Sequence, residues 1–204
     1  MKASKAAKTW ARTPSVSMNS SCLAAAIMAR DRKGPAIAHQ LLLYPALDAA
    51  MDSPSFHQFG EGHYLTRAAM EYCYGAYLGD AAPGRHELVS PLRADHLAGL
   101  PQATVISCEY DPLRDEAEAY AQRLAQAGVA VQAVRLPGMV HACMHMLGLA
   151  PASRRLFDEA GVAVRQAFGT ALGGGLPGAG QVRPAPGTRP PAHSHGRAPS
   201  GAGP

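Results

Sequence analysis

The sequence predicts an α/β protein with a partial, mostly parallel sheet and a disordered carboxyl-terminal tail. Short apolar runs alternate with longer segments whose apolar residues recur at helical spacing. The resulting order is helix, strand, helix, strand, helix, strand, helix, which is typical of parallel strands joined by crossover helices. The last 36 residues contain 17 Gly and Pro and no aromatic residue. Such a segment buries too little apolar surface to offset its ordering entropy, so we expect residues 169–204 to be disordered.

The amino-terminal half of the predicted fold begins at Cys22, after a basic segment (residues 1–21) without periodicity. Leu23–Arg30 is a mostly apolar helix former that ends at Gly34 and Pro35. The run Leu41–Tyr44 predicts a strand covered on both faces. Residues 46–64 are rich in turn formers and predict a loop.

A second group of elements completes the predicted sheet. A helix follows Thr66 and ends at Gly79, with the cluster Tyr72, Tyr74 and Tyr77 expected to pack against the core. After a loop at residues 81–101, the β-branched run at 103–107 predicts a buried strand. A helix beyond Pro112, a strand at 129–136 and a last helix at 151–168 follow.

Two polar side chains stand at neighbouring predicted strand ends. Asp111 follows the strand at 103–107, and His141 follows the strand at 129–136 through a Gly-containing turn. Because parallel strands present their carboxyl ends at one edge of the sheet, the chemistry of open α/β sheets gathers there. An acid followed in the chain by a His is the acid–base half of a Ser-His-Asp triad in the order of α/β-hydrolases. A structural role is the alternative for Asp111, since Asp before Pro is a good helix N-cap.

Four stretches resemble the hormone-sensitive-lipase-like branch of the α/β-hydrolases, called α/β-hydrolase fold-3. They are Leu41-Leu42-Leu43-Tyr44-Pro45, Ser90-Pro91-Leu92, Asp111-Pro112-Leu113-Arg114-Asp115-Glu116 and Gly138-Met139-Val140-His141. The resemblance covers residues 22–168. It implies a partial α/β-hydrolase sheet, a carboxylic ester hydrolase acting on small acyl esters without a cofactor, Asp111 as triad acid and His141 as triad base.

The nucleophile of that family is missing from its expected place. The family motif Gly-Asp-Ser-Ala-Gly-Gly aligns without gaps to residues 16–21, which puts Met18 where the Ser should stand. Ser17 and Ser20 flank that place, but neither has the Gly neighbours that a nucleophile elbow needs. The oxyanion-hole motif His-Gly-Gly is absent as well, and Cys143 replaces a customary aromatic residue. The sequence therefore predicts a truncated or frame-shifted member with three parts: a non-matching segment 1–21, a hydrolase portion 22–168 and the tail 169–204.

Composition and charge exclude several function classes. Seven of the 19 Lys and Arg residues lie in the two flanking segments, which leaves 12 basic against 15 acidic residues in the middle. This balance argues against a nucleic-acid-binding core. No apolar run of about eighteen residues predicts a membrane span. The amino terminus lacks the apolar region of a secretory signal, and the four cysteines show no paired spacing. We therefore expect free thiols and a cytoplasmic location.

Two further roles are alternatives to the ester-hydrolase interpretation. His141, Cys143 and His145 alternate on one short segment, but three ligands without a fourth make a poor zinc site, so we expect no metal. A non-catalytic interaction module is the main alternative to an impaired ester hydrolase. It would form homo-oligomers through exposed strand edges.

Overall fold

A computed structural model describes residues 20–79, 84 and 86–171 of the 204-residue chain. Its α-helices are α1 (Ser20–Asp31), α2 (Pro54–Phe59), α3 (Arg67–Leu78), α4 (Arg114–Gln126) and α5 (Arg154–Ala171). Its strands are β1 (Gln40–Leu43), β2 (Ala103–Tyr110) and β3 (Val131–Val140), and 3₁₀ turns lie at Pro91–Arg93, Cys143–Met146 and Pro151–Ser153.

The strands form one parallel sheet in the order β1-β2-β3. The central strand β2 is buried from Ala103 to Cys108 and becomes more exposed only at Glu109 and Tyr110. Continuous burial of both faces is what a parallel strand covered by crossover helices requires. The α/β architecture predicted from the element order is therefore correct.

Helices cover both faces of this sheet. On one face, α1 and α4 pack on β1 and β2 through a cluster that includes Leu23, Ile27, Leu42, Val105 and Tyr120. On the other face, α5 contributes Leu156 to a cluster with Ile106, Cys108, Leu136 and Cys143. Side chains alternate between the two faces along a strand, so neighbouring residues of β2 supply both clusters.

The region predicted as a loop at 46–64 contains the short helix α2. Ser53 caps it by accepting a hydrogen bond from the Phe56 N–H, and Pro54 occupies its first turn. Proline at the first helical position costs nothing because that N–H has no helical partner. The prediction that this region is a loop without a helix was therefore wrong.

The tyrosine cluster of α3 was predicted as packing, and only part of it packs. Tyr74 is 3% exposed within an apolar cluster around Phe56 and Met70, and Tyr77 packs partly against that cluster. Tyr72 is 78% exposed, so its predicted packing role was wrong. It lies on the opposite side of α3, where no element covers it within the described residues.

The helices at the two ends of the described region extend beyond the predicted limits. α1 begins at Ser20 rather than near Leu23, and α5 continues to Ala171 rather than ending at Phe168. Residues 1–19 and 172–204, which hold most of the two predicted flanking segments, lie outside the described residues. None of the described helices combines the length and apolar character needed to cross a membrane.

Candidate functional site

Asp111 lies at the turn that joins β2 to α4, and its side chain is 0% exposed. One carboxylate oxygen, Oδ1, accepts a hydrogen bond of 2.8 Å from the Leu113 N–H. The backbone carbonyl of Asp111 accepts a second bond from the Arg114 N–H. The residue that immediately precedes α4 is Leu113, which makes no side-chain cap. Asp111 therefore stabilises the turn before the helix rather than capping the helix directly.

His141 directly follows β3, whose last residues bulge away from regular pairing with β2. The pairing register shifts between Cys108 and Tyr110, and Tyr110 lies opposite Val140. Gly138 adopts a φ of 71°, which a residue with a Cβ disfavours. Its N–H donates to the Glu109 carboxylate at 2.6 Å. The strand thus runs through the predicted Gly turn, and this bulge directs the chain toward the end of β2.

The two predicted site residues meet at this edge of the sheet. His141 Nδ1 lies 2.9 Å from the second carboxylate oxygen of Asp111, Oδ2. An ionised carboxylate can only accept, so Nδ1 carries the proton and the other ring nitrogen, Nε2, is the basic one. The His141 side chain is 19% exposed. One Asp thus serves two partners, with Oδ1 fixing the turn and Oδ2 fixing the imidazole.

Tyr44, the residue after β1, packs against the imidazole. The two rings make an edge contact with centroids 4.6 Å apart and planes at 60°. Tyr44 has a φ of 38°, an uncommon conformation for a residue with a side chain. Burial raises the pKa of its phenol above the ordinary range. The sequence placed Tyr44 at a strand end within a matching stretch, but its contact with His141 was not predicted. Its position at the same edge of the sheet as Asp111 and His141 was the available signal.

A buried carboxyl group holds the loop that follows Tyr44. Glu116, in the first turn of α4, is 2% exposed and accepts a hydrogen bond of 2.8 Å from the Leu47 N–H. Burial raises the pKa of Glu116 well above its usual value, while the bond from Leu47 opposes that rise. Glu116 therefore links α4 to the loop leading from β1 into α2.

Asp115 makes the equivalent connection to α2. Its carboxylate accepts a hydrogen bond of 2.8 Å from the Ser55 N–H, and the Ser55 hydroxyl donates to the Pro112 carbonyl at 2.7 Å. The stretch Asp111–Glu116 thus supplies one carboxylate to His141, one to α2 and one to the loop after β1. The resemblance identified this stretch, but the separate contacts of Asp115 and Glu116 were not predicted.

Several other sequence-derived candidates are not assembled here. Met18 and Ser17 lie outside the described residues, and Ser20 is the first residue of α1. Within the described ranges, no group of three or more His, Cys, Asp or Glu side chains is arranged to hold a metal ion. His141, Cys143 and His145 therefore do not converge on one point.

The known proteins that are similar to this chain include ester hydrolases. A family model described as alpha/beta hydrolase fold matches residues 22–145. The arylesterase of Saccharolobus solfataricus is 36% identical over 71% of this chain and 46% of its own length. The carboxylic ester hydrolase LipN of Mycobacterium tuberculosis is 37% identical over 63% of this chain and 34% of its own length.

Solved structures of esterases also match this chain. The crystal structure of a thermostable esterase from Pseudomonas putida superposes with a TM-score of 0.65 and 38% sequence identity, covering 70% of this chain and 46% of that one. A bacterial heroin esterase gives a TM-score of 0.68 at 32% identity, over 73% of this chain and 48% of that one. The chain thus spans about a third to a half of the length of the relatives it matches.

Proposed function

The chain belongs to the α/β-hydrolase fold-3 family, and from that membership we propose that it carries the acid and base of a carboxylic ester hydrolase site. The observation that carries the proposal is the 2.9 Å contact between His141 Nδ1 and Asp111 Oδ2 at adjacent strand ends. Small acyl esters are the proposed substrate class.

The geometry supports the roles of the two residues. A serine hydroxyl attacking an ester carbonyl must lose its proton, and Nε2 of His141 is the nitrogen left to take it. The proton then passes to the leaving alcohol. Asp111 keeps Nδ1 protonated and stabilises the imidazolium that forms, and its burial strengthens that interaction.

The nucleophile is the part that this sequence does not supply. No Ser in the chain has Gly two residues before and two after it, and no His-Gly-Gly stretch is present. Loss of one oxyanion donor alone costs about 3–4 kcal/mol of transition-state stabilisation. We therefore propose that the 204-residue polypeptide hydrolyses esters little or not at all.

Turnover of p-nitrophenyl butyrate by the purified polypeptide tests this second part. We expect a rate equal to that of the His141→Ala variant, and no labelling by a fluorophosphonate. Hydrolysis that depends on His141, together with a fluorophosphonate adduct on Ser17 or Ser20, would contradict it.

A chimera tests the first part directly. An esterase segment carrying the family's Gly-Asp-Ser-Ala-Gly-Gly and His-Gly-Gly motifs would replace residues 1–21. We expect ester hydrolysis that falls by about 10⁴-fold in Asp111→Asn and by about 10⁶-fold in His141→Ala. His145→Ala is the matched control, since His145 is exposed and lies on the same segment. An active chimera in which His141→Ala and His145→Ala behave alike would refute the proposed base.

The sheet edges favour a second candidate function, a non-catalytic interaction module. β1 and β3 form the two edges of the sheet within the described residues. Strand edges that carry apolar side chains pair readily with strands of another chain. Light scattering during size exclusion is expected to show a homodimer under this alternative, and a monomer across a tenfold range of concentration would remove it.

A further inference from the structure

Two buried thiols lie against each other next to the proposed acid–base pair. Cys108, near the end of β2, and Cys143, in the turn after His141, are each 0% exposed. Their sulfur atoms are 3.8 Å apart, and both are free thiols. They are separated by 35 residues in the chain, so only the packing of the turn onto the sheet brings them together.

The surroundings of these thiols are polar in an otherwise apolar cluster. The buried carboxylate of Asp111 raises the pKa of both thiols. Negative charge on either cysteine raises the pKa of Tyr44. The Tyr44 hydroxyl is buried, and within the described part of the chain it has no hydrogen-bond partner. A buried hydroxyl without a partner is a donor available to a sulfur atom that gains negative charge.

The two sulfur atoms are not equivalent. Contact with the Cys108 sulfur lowers the pKa of the Cys143 thiol, and Cys143 lies in a turn whereas Cys108 lies within the central strand β2. Thiolates are the species that attack disulfides, so the first attack is assigned to Cys143. Its turn is bordered by exposed residues, including His145 and Leu147.

We propose that Cys108 and Cys143 form a reversible dithiol–disulfide site, oxidised by low-molecular-weight disulfides, whose state sets the position of His141. In the first step the Cys143 thiolate attacks one sulfur of the small disulfide and releases the other half as a thiolate. Cys108 then attacks the Cys143 sulfur and releases the second half as a thiol. Two electrons and two protons leave the protein in all, and the small disulfide becomes two thiols.

Oxidation changes the geometry of the His141 segment. A disulfide bond is about 2.0 Å long, whereas the two sulfur atoms are now 3.8 Å apart. Closing that gap pulls the turn at Cys143 toward β2. His141 is two residues upstream and moves with it, so its contact with Asp111 changes. Only an effect of this movement on ester hydrolysis rests on the proposed function; formation of the disulfide and the movement of His141 do not.

The test uses the full chain with Cys22→Ser and Cys73→Ser, which leaves only the buried pair. The variant is equilibrated with reduced and oxidised glutathione in buffer and in 8 M urea (a strongly denaturing concentration), and the disulfide is quantified by mass spectrometry. Because folding holds the two sulfur atoms together, we expect the effective concentration of the pair to be at least about tenfold higher in buffer than in urea. An equal or lower value in buffer would overturn the proposal.

Two further measurements separate this site from the proposed ester-hydrolase chemistry. The Nδ1 proton of His141, observed by NMR, is expected to shift on oxidation and to return with dithiothreitol. The matched Cys108→Ala variant in the same background is expected to show no such shift with oxidised glutathione. A shift of equal size in Cys108→Ala would exclude the disulfide as its cause. Neither measurement requires ester hydrolysis, so both can be interpreted even if the polypeptide does not hydrolyse esters.

Discussion

Replacing Asp111 by Asn or by Ala separates its two structural contacts. The carboxylate accepts one hydrogen bond from the Leu113 N–H at 2.8 Å and faces His141 Nδ1 at 2.9 Å. Asn retains an oxygen for Leu113 but presents an amide N–H to the imidazole. The proton of His141 then moves to Nε2, so that Nδ1 can accept. Ala removes both partners and leaves a small cavity.

The expected stability changes follow from these contacts. Asp111 is 0% exposed and Leu113 is 2% exposed, so a group that loses its partner there stays out of water. Leaving a buried donor unsatisfied costs about 1–3 kcal/mol. For Asp111→Ala we expect a loss of about 2–5 kcal/mol, since two donors lose their acceptor and the His141 donor, on a side chain that is 19% exposed, regains part of its hydration. For Asp111→Asn we expect about 1 kcal/mol, because a charge-assisted bond becomes a neutral one while burial of a charge is avoided.

Urea unfolding followed by circular dichroism measures the stability differences, and nitrogen NMR of the imidazole reports which nitrogen of His141 carries the proton. Both substitutions are made at the same buried position, so each variant is the control for the other. Equal destabilisation by Asn and Ala would show that the Leu113 bond contributes nothing. A proton remaining on Nδ1 in Asp111→Asn would show that Asp111 does not set the tautomer.

Three other substitutions have expected outcomes. The raised pKa of Glu116 lets the folded state keep a proton that the unfolded chain loses from about pH 4.3 upward, so stability falls as pH rises from there to the folded pKa. Glu116→Gln should flatten that dependence in urea unfolding, and an unchanged slope would contradict this. Gly138→Ala should lower the free energy of unfolding by about 1–2 kcal/mol through its left-handed φ alone, because a Cβ there meets nothing within 4 Å. The control Gly148→Ala is equally unobstructed and should lower it less. Leu156→Ala, at a 1% exposed position, should lower the free energy of unfolding by about 2–5 kcal/mol. An equal loss in Phe157→Ala, at a 41% exposed position, would refute the packing of Leu156 in the core.

The short helix α2 shows where local sequence was sufficient and where it was not. Ser53 and Pro54 are ordinary helix-start residues and could have indicated the helix. Its six residues are too few for stability without tertiary support. That support comes from the contacts of Ser55 with Pro112 and Asp115, which lie about sixty residues away. Local patterns carry no information on such contacts.

The end of β3 also differs from the prediction because of a tertiary contact. Pro137 and Gly138 indicated the end of the strand, because one lacks an N–H and the other favours turns. The structure continues the strand to Val140 through a bulge, with the Glu109 carboxylate accepting from the Gly138 N–H. A side chain from the neighbouring strand thus supplies the hydrogen bond that regular pairing would have provided.

The sequence by itself determined the order of the strands and of the helices other than α2, the parallel sheet and the placement of Asp111 and His141 at adjacent strand ends. Periodicity, turn residues and the rule that parallel strands end at one edge are local or topological, so they can be derived from the chain alone. Tertiary structure alone decided the double use of the Asp111 carboxylate, the Tyr44 ring against His141 and the contact between Cys108 and Cys143. These contacts join residues far apart in the chain, and their distances depend on how the layers pack rather than on any local preference.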